Sequence, residues 1–431
     1  MEYGDEGERM TSLGPAIKAL DEWLETMKQP QGYAGPVSHW WQSCYRFAGA
    51  ALDWRYEGIF EGYLTLFEKT GSTVWQDRIE DAAGHLLQGQ RHDGTLLNSK
   101  FEANPGTLGT PHEAAASLGL LRASATFQRV DWTNTAIKTL DNLVYSLQDT
   151  HTPGFNDAAG SRGRVPNKLA TFAEAMFSAA ELTQGEHWLL YADQALSEVV
   201  RMQCSGGPWR GAIHQWARGP HLRGDGRFFP YYNARCVPAL VRGSQVLGNS
   251  RYLEAAHAVA DFLDRVRNDD GSWPQLVYQG GRRVEYPHWI SPTADILWAY
   301  RTLNRPSHPR GLERLLEGQL ASGGFITAEG FRLRHAKARS LERLDYLDVT
   351  PVVGWNDKVL RLLAALLPPD EPIPEGRVST ECLIPVTVGT EKGWYHETRN
   401  KMSVMAEIGR TVFHWSKSAS WSRAEGEVMI R

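Results

Sequence analysis

The 431-residue chain lacks any run of about 18 consecutive apolar residues, and its opening, MEYGDEGERMTSLG, lacks a basic segment leading into an apolar one. The first absence excludes a helical membrane span. The second leaves a cytoplasmic protein as the expectation, with no membrane partner. Charge of one sign is also missing: 46 Lys and Arg stand against 50 Asp and Glu, for a formal net charge of -4. That balance argues against nucleic acid or another polyanion as a partner of the whole surface. Cysteine is scarce. Cys44, Cys204, Cys236 and Cys382 are far apart and form no CxxC pair, so they read as ordinary buried thiols. Paired histidines at i, i+4, a DxDxD cluster and GxxxxGK[ST] are all absent, so no metal, phosphate ligand or other cofactor is expected.

Tryptophan is abundant, with sixteen copies, and 42% of residues are hydrophobic. A large core is therefore available, and flat aromatic faces exceed what such a core ordinarily uses. Trp stacks on sugar rings and apolar ligands, and it also fills wide gaps between helices.

A turn recurs along the chain. Gln or Asn is followed by Gly and then often an aromatic: Gln90 to Gly94, Gln148 to Gly154-Phe155, Gln203 to Gly207-Pro208-Trp209, Asn268 to Gly271-Ser272-Trp273, and Gln319 to Gly324-Phe325. The copies lie about 50 to 65 residues apart, the length of two helices and two connections. Between them apolar residues fall at helical spacing, as in Tyr252, Ala255, Ala256, Val259, Ala260, Phe262 and Leu263. Thr70-Gly71-Ser72-Thr73 and Leu247-Gly248-Asn249-Ser250 mark short turns midway, with Ser250 a candidate N-cap. In the long turns glycine is expected to end the helix while the aromatic docks the exit loop. An N-terminal hairpin over 14–50 and a last helix near 354–367 bring the expected total to about six hairpins, which cover one another's apolar faces when closed into a ring.

On these turns the chain resembles the (α/α)6-toroid superfamily of glycosidases, polysaccharide lyases, sugar epimerases and terpene cyclases. The resemblance implies an all-α fold, a toroid over residues 1–367 with its repeats from 14, and one cavity at the mouth of the ring. The prolines of Leu367-Pro368-Pro369-Asp370-Glu371-Pro372 read as a linker, and 382–388 and 410–415 as β-rich runs, so 368–431 is expected to be a linker and a small β-rich segment.

In such a ring, residues at the starts of the inner helices share one mouth. Clusters fall there: His39-Trp40-Trp41, Asp53 to Gly58, His112-Glu113, Asn167 with Glu174, Tyr231 to Arg235, His288-Trp289 with Asp295, and Trp355-Asn356-Asp357. Glycosidic cleavage needs one carboxyl to protonate a leaving oxygen and another to activate water or attack. Glu57, Glu113, Asp295 and Asp357 are the catalytic candidates, with Asp53 beside them. An acid at a helix start also serves as a cap or a dipole partner. His39, Trp40, Trp41, His112, Asn167, Tyr231, Asn233, Arg235, His288 and Trp355 are the substrate-binding candidates. Trp offers faces for sugar rings, and Arg235 offers a fork for a uronate carboxylate, unless it pairs with a helix-end acid instead.

The expected function is therefore a glycoside-hydrolase-like enzyme acting on a small-molecule or oligosaccharide substrate. The alternatives are a uronate lyase or C5-epimerase with a Tyr or His base, a terpene-cyclase-like enzyme and a non-catalytic binding toroid. Terpene cyclases use an acidic DxDD initiator, and Asp345-Tyr346-Leu347-Asp348 has the wrong spacing. The basic segment from Arg332 to Arg339 reads as a solvated face or the rim of an entrance for acidic substrates.

Overall fold

The computed structural model describes residues 12–39, 42–97, 110–218, 224–320, 322–330, 351–379, 404–408, 411–415 and 422–423, with side chains outside 35–49 and 404–423. Trp40, Trp41, the 332–339 segment, 345–348 and 382–388 lie outside the described residues, as do the side chains of His39, Cys44 and Cys382. No helix among the described residues is long and apolar enough to cross a membrane.

Six inner helical segments form a closed ring: α2 (Arg55–Thr70), α4 (Ala114–Phe127), α6 (Pro166–Thr183), α8 (Pro230–Ala234) continued by α9 (Val237–Leu247), α11 (Thr293–Thr302) and α13 (Val353–Leu366). Each packs on the next, and α13 packs back on α2. Enclosure on every side suits their composition: α13 buries all but its terminal Leu366. Outside stand α1 (Leu13–Met27), α3 (Thr73–Gly89), α5 (Val130–Leu147), α7 (Glu186–Arg201), α10 (Ser250–Val266) and α12 (Pro309–Glu317). These carry one buried stripe each; in α10 it runs Tyr252, Ala255, Ala256, Val259, Ala260, Phe262, Leu263 and Val266.

Short turns lead from inner to outer helices. Gly71 and Gly248 close α2 and α9 in the left-handed conformation. The cap of α10 is Asn249, whose side chain accepts from Arg251 N, rather than the expected Ser250, which is the first helical residue.

The recurrent Gln/Gly turns lie together at one rim, each following an outer helix. Their glycines do not end the helices. Gln90 Nε2 donates to Thr135 O of α5, Gln203 Nε2 to Ala255 O of α10 and Gln319 Nε2 to Ala16 O of α1. Three residues further along each of those helices, a glycine at positive φ meets the backbone: a Cβ at Gly94, Gly211 or Gly323 would lie 2.3, 1.9 or 1.9 Å from the carbonyl oxygens of Lys138, Ala258 or Ala19. The turn therefore staples one outer helix to the next, and glycine is needed for the close approach as well as for its φ.

The last staple lands on the first helix. Residues 14–50 do not form a helical hairpin: α1 is followed by an antiparallel sheet of β1 (Lys28–Gln29), β2 (Gly32–His39) and β3 (Gln42–Ala51). Gly32, Gly35 and Pro36 disfavour a second helix there. The sixth hairpin is instead assembled from the two ends of the chain, α13 and α1. Glu371 Oε1 accepts from Ser12 Oγ at 2.7 Å and Gly14 N at 2.5 Å, and Glu22 accepts from the backbone of Val378 and Ser379.

Two short sheets lie in the loops at the rim: β4 (Arg227–Phe228), β5 (Leu276–Tyr278) and β6 (Arg283–Val284) in one, β7 (His288–Trp289) and β8 (Ala328–Glu329) in the other. Near the C-terminus, β9 (Val404–Ile408), β10 (Thr411–Trp415) and β11 (Ser422–Arg423) form an antiparallel sheet in the order β11-β10-β9.

Candidate active site

The inner helices all begin at the rim that carries the staples, and aromatic residues from their starts meet there. Trp54 precedes α2, His112 lies in the 3-10 turn ahead of α4, Tyr231 is the second residue of α8, Trp289 ends β7 ahead of α11, and Trp355 is the third residue of α13. His112 stacks on Trp54 with centroids 5.5 Å apart. Trp54 meets Trp355 edge-on at 4.9 Å, Trp355 meets Tyr231 at 5.8 Å, and Tyr231 meets Trp289 at 5.8 Å. These contacts make an arc of π faces.

Charges lie directly beneath. Arg235 donates from NH2 to Glu57 Oε2 at 2.7 Å and from NH1 to Asp295 Oδ2 at 3.1 Å. Arg361 bridges the same two acids, reaching Glu57 Oε1 at 2.8 Å and Asp295 Oδ1 at 2.8 Å. Lys358 Nζ is 3.4 Å from Glu57, pairs with Asp357 and donates to Trp54 O. One turn deeper Arg361 binds Glu61 at 2.9 Å, and Arg122 joins Glu61 to Glu174. The series ends at a basal cavity of about 340 Å3 lined by Arg122, Glu174, Arg242 and Trp298. Every inner helix contributes to this axial network.

Four cations meet five carboxylates in it. Burial disfavours the ionised form of Glu57, but Arg235, Lys358 and Arg361 outweigh it and hold its carboxyl well below the ordinary glutamate range. Asp357 goes the other way. Burial, aided by repulsion from Glu57 and opposed by Lys358, pushes it up to about 7. Its Oδ2 accepts from Gly58 N at 3.1 Å, while Oδ1 is buried without a hydrogen-bond partner.

His112 is held neutral. Burial and the neighbouring Arg235 depress its pKa well below the usual histidine value. Its Nε2 lies 3.2 Å from Arg235 NH2, and since a guanidinium only donates, Nε2 is the acceptor and the proton sits on Nδ1.

The structure thus brings together Glu57, Asp295, Asp357, His112, Tyr231, Arg235 and Trp355. The Arg235 fork, expected to grip a uronate, is occupied by Glu57 and Asp295. Other expected residues have local duties. Glu113 closes a capping box with Thr110. Asp53 holds the backbone N–H and guanidinium of Arg55. Asn233 clamps Ile213 through its N–H and carbonyl and bonds Phe229 O; Asn356 treats Phe325 and Val352 in the same way. Asn167, the second residue of α6, keeps its Oδ1 buried without a hydrogen-bond partner. His288 stands apart, with Tyr286 stacked on it and its Nδ1 3.2 Å from Arg314.

Lys358, Arg361, Glu61 and Arg122 escaped the sequence reading. Their signal was charge inside helices that are otherwise apolar all round, as in Val353–Leu366.

No protein-family model and no curated protein matches the chain. Solved structures do. A D-mannose isomerase aligns at TM-score 0.61 and 13% identity, over 85% of this chain and 100% of the other. A possible GH105-family member from Klebsiella pneumoniae gives 0.60 and 13%, over 85% and 94%. An unsaturated glucuronyl hydrolase from Bacillus sp. GL1 gives 0.58 and 16%, over 82% and 95%. Identities this low speak for the fold alone, and with the closed inner ring and its six outer helices they give the chain one architecture: the (α/α)6 toroid.

Proposed function

We propose that this chain is a carbohydrate-active enzyme whose substrate ring lies against Trp54, Trp355, Tyr231 and Trp289, with His112 as the proton-transfer group. The observation that carries the reading is a neutral imidazole at the mouth, stacked on Trp54 and facing Arg235. Aromatic faces suit the C–H faces of a sugar. A carbonyl oxygen of the substrate can replace His112 as the acceptor for Arg235 NH2. The freed Nε2 lone pair then takes the proton from the adjacent carbon, while Arg235 stabilises the oxyanion that develops. Isomerisation, epimerisation and lyase chemistry all begin with this step. Solved structures of similar fold include a D-mannose isomerase, which supports a sugar substrate without fixing the reaction.

Glycosidic cleavage is the second reading. Glu57 is ionised and Asp357 is protonatable near neutral pH, an opposed pair of carboxyls that both approach Lys358. Asp357 is 0% exposed, so this chemistry requires α2 and α13 to part before a sugar oxygen reaches it.

The test is incubation with aldoses, ketoses and uronate-containing oligosaccharides in D2O. Proton transfer gives deuterium at the carbon beside the carbonyl in isomerisation or epimerisation and an unsaturated uronate in elimination, both seen by NMR, and His112→Asn lowers the rate by about 10² to 10⁴. New reducing ends with neither deuterium exchange nor an unsaturated uronate, abolished in Asp357→Asn, favour hydrolysis. Turnover of no sugar in the panel sinks both readings.

A further inference from the structure

Beneath the arc, two arginines and two carboxylates close a ring of their own. Arg235 binds Glu57 Oε2 at 2.7 Å and Asp295 Oδ2 at 3.1 Å, with a further contact to Asp295 Oδ1 at 3.3 Å. Arg361 binds the other edge of each acid, Glu57 Oε1 at 2.8 Å and Asp295 Oδ1 at 2.8 Å. All four side chains are buried, so neither acid can turn without breaking a bond that water does not replace.

The NH2 nitrogen of Arg235 carries two protons. One goes to Glu57, which leaves the other for His112 Nε2 at 3.2 Å, or for a carbonyl oxygen that takes the place of His112. The acids set the direction of that second N–H, and Arg361 sets the acids. Arg361 is itself engaged below: NH1 also donates to Glu61 at 2.9 Å, and the ring of Trp298 lies 4.9 Å from its Cζ. Charge points the same way. Two carboxylates against Arg235 alone would leave a net negative cluster under a developing oxyanion, and Arg361 cancels the surplus. Lys358 also reaches Glu57, but Asp357 shares it.

We propose, resting on the proton-transfer reading of His112 and Arg235, that Arg361 is a positioning residue: without meeting the substrate, it fixes Glu57 and Asp295 so that Arg235 presents one N–H to the substrate's carbonyl oxygen.

Arg361→Lys tests this, since lysine keeps the charge but loses the fork that bridges two carboxylates. A fall in kcat of about 10- to 100-fold with KM little changed is expected, because the oxyanion exists only after binding. In an Arg235→Lys background, Arg361→Lys should lower kcat no further, as a residue acting through Arg235 requires. Asp295→Asn opens the same ring from the acid side and should lower kcat in the same range, so the test does not depend on one variant folding. Arg78→Gln, which breaks the ion pairs of α3 with Asp21 and Glu25 of α1, controls for lost stability and should leave kcat unchanged. A second readout needs no turnover. The 15N resonance of His112 Nε2, assigned with His112→Asn, should move in Arg361→Lys and in Asp295→Asn as the hydrogen bond from Arg235 is lost, and stay in place in Arg78→Gln. An unmoved Nε2 resonance, an undiminished kcat or additive losses in the double variant overturns the proposal. A wild type that turns over no sugar sinks the proton-transfer reading instead, and the Nε2 resonance then decides whether Arg361 holds Arg235 against His112.

Discussion

Glu57 ties two other inner segments to α2, because Arg235 at the α8–α9 junction and Lys358 and Arg361 of α13 all reach its carboxyl. Its depressed pKa has a consequence for stability. A carboxyl held below its unfolded value stabilises the fold fully above that value, near 4.5, and loses the contribution as pH falls below it. His112 adds to the acid side, since the unfolded histidine protonates near 6.5 and the buried one resists. Thermal melts between pH 3 and pH 7 should therefore show a steep acid decline in the wild type. In Glu57→Gln the decline should be shallower and the starting Tm lower, because breaking a buried pair costs about 3–5 kcal/mol. An unchanged pH profile would mean that the network contributes nothing to folding.

Among the elements, the stapling turns make the sharpest prediction. Gly323 has φ +96 and a Cβ there would sit 1.9 Å from Ala19 O; Gly160 has φ +72 and open space around it. Gly160→Ala should cost about 1 kcal/mol of strain, whereas Gly323→Ala adds a backbone collision and should cost about 3 kcal/mol or more. Denaturant midpoints decide it, and equal costs would mean that the turn is not a staple. The turns and the helical pattern were legible because both are local: the Gln and Gly spacing and the apolar stripe of α10 lie within a few turns of chain. The strands at 28–51 were not, because a helical hairpin and a β-hairpin both begin after a helix with a short polar break. Side-chain duties were hardest to read. Glu113 as a cap and Glu57 in an ion network look alike in sequence, each an acid near a helix start, and only distant partners separate them. His288 occupies an equivalent place in its repeat, yet β7 turns it toward Arg314. Lys358 and Arg361 sit in a mostly apolar helix, where nothing local marks them as partners of Glu57.

At the scale of the whole molecule, the ring depends on joining the chain's ends through Glu371, Gln319 and α1. Glu371→Ala removes the partner of Ser12 Oγ and Gly14 N and should lower stability by about 1–2 kcal/mol. Far-UV circular dichroism and tryptophan fluorescence should still report one coincident transition, because each hairpin leans on two neighbours. Separate transitions for the two probes would show that the hairpins unfold independently.

The axial network also sets a timetable for the nascent chain. Glu57 and Arg361 are 304 positions apart, and Arg235 follows Glu57 by 178. A ribosome adding about 5–20 residues per second delivers the last cation about 15–60 s after the first acid. Until then α2 carries a carboxylate with Arg235 at most among its answering charges, and its desolvation is unfavourable. The early hairpins can form as helices during that interval while their polar inner faces stay wet. The drying of the axis waits for α13, so the final inner helix to leave the ribosome decides whether everything before it becomes a closed ring.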